Sequence, residues 1–137
     1  MKADFLLDAS ALLALLRNEP GAERLLSPEP DSGSILDRSV VHAVQLTEVV
    51  KKLVDAGVDE ARCREWISEI GIDVIQTLTA DEAYHTARYC LKGLSLGDRI
   101  CLSVASWNNM AAVTADRGWK ELSDAQPELN VRVVLIR

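Results

Sequence analysis

A chain of 137 residues with 48% hydrophobic content can bury a core of its own without disulfide or metal staples, and one domain spanning 1–137 is expected. Aromatic residues make up only 4%, so the core must be Leu, Val, Ile and Ala, a composition that suits helices packed on a buried sheet. The net charge of −6 argues against binding nucleic acid by phosphate neutralisation alone, which needs clustered Lys and Arg, and is equally compatible with a basic protein partner. Cys63, Cys90 and Cys101 are odd in number and widely spaced, which argues against a zinc site or a disulfide framework. Met1-Lys2-Ala3-Asp4 does not resemble a signal peptide, and no apolar stretch approaches membrane-spanning length. A soluble, cytoplasmic protein is expected.

Phe5-Leu6-Leu7 reads as a short strand stopping at Asp8, and Ser10 stands in N-cap position for a helix over Ala11 to Leu16. A brief helix, Ala22 to Leu26, leads into the loop Pro28 to Ser34. A second strand falls near Arg38 to His42. The helix after it runs from about Val44 to Asp55, with Val44, Leu46, Val49, Val50, Leu53 and Val54 at helical spacing. Asp59 caps a helix through Ile70, which Gly71 stops. Ile72 to Ile75 is the third strand, and Thr79 caps a helix through about Leu91. Leu96-Gly97-Asp98 opens another helix. Ala111 to Thr114 is a strand, Arg117 to Leu122 a brief helix, and Val131 to Ile136 the last strand. Strands alternating with helices predict an α/β fold with a mostly parallel sheet covered on both faces.

Four acids mark one edge of such a sheet. Asp8 and Asp116 end apolar runs, so they sit where parallel strands end and ligands bind. Asp98 and Glu48 lie on helices that can project toward the same edge. Crowded carboxylates repel one another, so the grouping makes sense mainly around a cation, and oxygen ligands suit Mg²⁺ or Mn²⁺. Each acid also has a plainer reading: Asp8, Asp98 and Asp116 as helix caps, Glu48 as a costly carboxylate beside an apolar face. Ser10 reads more readily as a cap than as a ligand. Trp66, Trp107 and Trp119 read as core or interface anchors, and His42 as a structural imidazole. Arg17, Lys51, Lys52, Arg99 and Arg117 are candidates for a small basic rim.

Four segments taken in order, Leu7 to Leu12, Val44 to Val49, Leu94 to Arg99 and Val113 to Trp119, resemble the successive blocks of PIN-domain ribonucleases of the VapC toxin type. The likeness spans nearly the whole chain. It implies a three-layer α/β/α sandwich, Mg²⁺ or Mn²⁺ dependence, endonucleolytic cleavage of RNA, a cognate antitoxin and a homodimer. It further implies Asp8 and Asp98 as principal metal ligands, with Glu48 and Asp116 completing a catalytic acidic pocket. Ser10 and Thr114 match small hydroxyl positions that support it. Gln45 departs from the Asn often found there. Alternatives are a non-catalytic module of the same fold, or a phosphohydrolase in which Asp8 is a nucleophile, although Asp8-Ala9-Ser10 lacks the second Asp or lysine that chemistry wants.

Overall fold

The computed structural model describes residues 3–137; Met1 and Lys2, from the N-terminal stretch considered above, lie outside the described residues. Five strands, β1 (Phe5–Leu7), β2 (Ser39–His42), β3 (Asp73–Ile75), β4 (Ala111–Thr114) and β5 (Arg132–Leu135), form one sheet in the order β3-β2-β1-β4-β5. Every pairing is parallel, with Leu6 facing Val40 on one side and Ala112 on the other. The sheet is thus all-parallel among the described residues, where the sequence indicated only a mostly parallel one.

Among the described residues seven α-helices cover it: α1 (Ala9–Leu16), α2 (Ala22–Leu26), α3 (Ala43–Asp55), α4 (Glu60–Ile70), α5 (Ala80–His85), α6 (Leu96–Trp107) and α7 (Arg117–Ala125). Successive strand residues point to opposite faces. Leu7, Val41 and Val113 therefore pack with Leu12, Leu25, Val49, Leu53 and Cys63 from α1 to α4. Leu6, Ala112 and Val133 pack on the other side with Tyr89, Ile100, Cys101, Val104 and Trp119. The result is a three-layer α/β/α sandwich. The chain winds outward from β1 to β3, then returns to lay β4 and β5 on the other side of β1. Strand order reverses between β1 and β4, and parallel sheets bind ligands beyond the strand ends at such a point.

Asp59 and Thr79 cap α4 and α5 as the sequence indicates, and Gly71 closes α4 in a left-handed turn. Three expectations change. Ser10 is not the cap of α1; Asp8 is, because its backbone is extended and its carboxylate accepts the Ala11 N–H. Asp98 does not cap α6 either. Ser95 does, and Asp98 completes a capping box by accepting the Ser95 N–H in return. The helix from Thr79 stops at His85 and tightens into a 3₁₀ turn over Thr86–Tyr89 instead of running to Leu91. There the Tyr89 hydroxyl, drawn inward, donates to the Leu129 carbonyl.

Candidate functional site at the sheet switch point

Asp8 leaves β1 at the reversal and is buried. Its Oδ1 accepts from the Ser10 hydroxyl at 2.7 Å and the Ala11 N–H at 2.8 Å; its Oδ2 accepts from the Thr114 hydroxyl at 2.6 Å. Ser10 Oγ also accepts the Ala115 N–H, and Thr114 Oγ1 accepts that of Asp116. The carboxylate is thereby fixed to both central strands, β1 through its own backbone and β4 through Thr114. Burial nevertheless pushes its pKa up to about 6, against the lowering effect of the Thr114, Ala11 and Ser10 hydrogen bonds, and nearby Asp98 adds repulsion.

Asp98 and Glu48 reach the same space from two helices. The Glu48 carboxyl lies against Gly97, where an added Cβ would collide with Glu48 Oε1. Partial burial raises the Glu48 pKa, as does the charge of Asp98, while Lys52 opposes the rise. Under them sits Cys101, fully buried on α6, whose thiol pKa is raised first by burial and then by Asp8, Asp98 and Glu48 together. One buried group thus feels three of the acids. Gln45, one turn before Glu48 on α3, spans the gap between their backbones. Its Oε1 accepts the Ala9 N–H at 3.1 Å and its Nε2 donates to the Gly97 carbonyl at 2.7 Å.

Asp116 is placed differently. It caps α7 by accepting the Gly118 N–H, is exposed, and joins the other acids only through its backbone N–H on Thr114. The sequence therefore marks four acids, of which the structure brings Asp8, Glu48 and Asp98 together and leaves Asp116 at the rim. Among the described residues no three His, Cys, Asp or Glu side chains already stand as a metal-holding group. The chemistry of the donors still suits one. Asp8, Glu48, Asp98 and Asp116 join none of the ion pairs found among the described residues, and an all-carboxylate set with two raised pKa values lacks only positive charge.

Part of the expected basic rim is engaged elsewhere: Lys51 pairs with Asp55, and Arg17 donates to the Lys52 carbonyl. Arg99 and Arg117 adjoin Asp98 and Asp116 in sequence. His42 is buried; its Nδ1 accepts the Val44 N–H and its Nε2 meets the Thr77 carbonyl, so it is a structural cap of α3. Trp119 lies in the core on one face of the sheet, Trp66 packs against the core on the other, and Trp107 is half exposed. Gln45 and Gly97 are what sequence reasoning underrated. The available signal was an amide one turn from Glu48 on a helix whose neighbouring residues, such as Val49, are core. A groove of about 530 Å³ lies apart from the acids, between α3 and α4 beside β3, lined by Leu46, Val50, Cys63 and Ile67 among others.

Residues 5–125 match the PIN domain family, and the chain belongs to it. Curated proteins provide no match. Among solved structures, the chain is similar in fold to a toxin–antitoxin complex from Klebsiella pneumoniae (16% identity, TM-score 0.67, covering 96% of this chain and 97% of that one). It is similar also to VapBC2 from Rickettsia felis bound to a DNA fragment from their promoter (12%, 0.65, 97% and 98%). VapBC-1 from nontypeable Haemophilus influenzae is a third likeness (16%, 0.62, 96% and 96%).

Proposed function

We propose that this chain is a metal-dependent endoribonuclease, the VapC-type toxin of a toxin–antitoxin pair, folded as a single PIN domain over 1–137. The convergence of Asp8, Glu48 and Asp98 at the switch point carries this reading. Membership of the PIN family supports the nuclease activity, and the toxin–antitoxin and VapBC complexes of similar fold support the pairing.

Asp8, Asp98 and Glu48 would hold Mg²⁺ or Mn²⁺, with Asp116 at the margin. When bound, the cation supplies Lewis acidity that polarises a phosphate oxygen and makes water acidic enough to attack near neutral pH. The chain's own part is orientation. Ser10 and Thr114 lock the Asp8 carboxylate in one rotamer. Glu48, partly open to solvent, would orient the attacking water beside the cation it helps to hold. Arg99 and Arg117 supply positive charge beside the acids for the RNA backbone. The apolar groove between α3 and α4 offers a seat for an antitoxin segment. A phosphohydrolase using Asp8 as nucleophile fits poorly, because Asp8-Ala9-Ser10 supplies neither the second Asp nor the lysine that chemistry wants.

The test is cleavage of a labelled mixed RNA pool by the purified protein with Mg²⁺, Mn²⁺ or EDTA, beside Asp8→Asn and Asp98→Asn variants. Metal-dependent cutting lost in both variants is the expected result. RNA binding without cutting under any metal would replace the nuclease with a non-catalytic module of the same fold.

A further inference from the structure

Gln45 is among the most deeply buried polar side chains, 1% exposed, and its amide reaches two segments 36 and 52 residues away. Its orientation is unambiguous, since only the oxygen can accept the Ala9 N–H and only the nitrogen can donate to the Gly97 carbonyl. Ala9 directly follows Asp8, and Gly97 directly precedes Asp98. Glu48, three residues along α3 and so on the same helix face, rests against that same Gly97. One turn of α3 thus meets the backbone beside each of the two other acids.

We infer that Gln45 is a positioning residue: its amide works as a spacer of fixed length that sets the separation of Asp8 and Asp98, and through it the affinity of the acidic site for a divalent cation. This rests on the cation-site reading above. Three carboxylates on three different elements can converge on one ion only if those elements are held in register. Within this cluster the amide is the side chain that ties α1 to α6. The length of the arm is part of the device. Asparagine carries the same donor and acceptor on a chain one methylene shorter and cannot span both contacts without moving a helix, whereas methionine fills the volume with neither group.

The experiment is calorimetric titration of the full chain with Mn²⁺, comparing wild type, Gln45→Met and Gln45→Asn, with thermal denaturation in EDTA alongside. A Leu53→Ala variant, truncating a core residue of α3 away from the acids, serves as a destabilised control. The expected result is a 10- to 100-fold weaker Mn²⁺ affinity for both Gln45 variants, the range seen when groups supporting metal ligands are lost. Leu53→Ala should melt earlier yet bind Mn²⁺ within about 2-fold of wild type. Gln45 variants that melt earlier but bind Mn²⁺ like wild type would overturn the inference and leave Gln45 an ordinary core amide. A wild type that binds no Mn²⁺ would instead overturn the cation-site reading itself.

Discussion

Asp8 and Asp116 occupy equivalent places in the chain. Each follows one of the two adjacent central strands, and each caps the helix that comes next. Yet Asp8 is buried, accepts three side-chain or backbone hydrogen bonds, and has its pKa pushed up to about 6, whereas Asp116 faces solvent. The difference is what lies above them. Gln45, Glu48 and Asp98 from α3 and α6 close over the end of β1, and Asp116 lies outside that roof. A capping acid at a strand end is common; a capping acid buried beside two other acids is held at an energetic cost, and such a cost marks a site.

The contrast can be broken most forcefully at Asp8. Asp8→Asn keeps the shape and the acceptor for Ala11, and should lower RNA cleavage on the order of 10³-fold, the equivalent of about 4 kcal/mol. Asp116→Asn, measured in the same assay, should lose less than about 10-fold. Next in size is a stability effect. Because the folded-state pKa of Asp8 is raised from 3.8 to about 6, its stabilising contribution is complete below pH 4 and is lost as pH rises through 6. In EDTA the wild type should therefore lose up to about 3 kcal/mol of unfolding free energy between pH 4 and 7, read from urea titrations, and Asp8→Asn should not. Gly97→Ala follows. The new methyl would clash with the far end of the Glu48 side chain and make no more than ordinary contact with the Gln45 amide, so Glu48 should swing away. Cleavage should then fall about 10- to 100-fold while the melting temperature stays within about 2 °C of wild type. Smallest is Asp116→Ala, which removes a cap and should cost about 1 kcal/mol in chemical denaturation.

Much of this arrangement was legible in the amino-acid sequence. Short apolar runs, two of them ending in the acids Asp8 and Asp116, marked the five strands, and the alternation of strands and helices marked the layers, because both rest on local periodicity. The start of α1 is open in the sequence between Asp8 and Ser10, since Asp and Ser are equally good caps, and the choice turns on the extended backbone at Asp8. The early end of α5 goes with a hydrogen bond from Tyr89 to Leu129, a contact across 40 residues. The same limit hid the role of Gln45, whose partners are distant in the chain, and the exposure of Asp116, which follows from where α3 and α6 end up and not from its neighbours.

The hydrogen bond from Thr114 to Asp8 joins residues 106 apart. Its consequence lies in biosynthesis. On the ribosome β1 is made before β4, one of its two neighbours, which follows about a hundred residues later at an elongation rate of about 5–20 residues per second. Until residue 114 has cleared the exit tunnel, β1 has an open edge and Asp8 lacks the partner of its second oxygen. A nascent chain of this kind cannot complete the hydrogen-bonded setting of Asp8, and with it the acidic site, before β4 has been delivered.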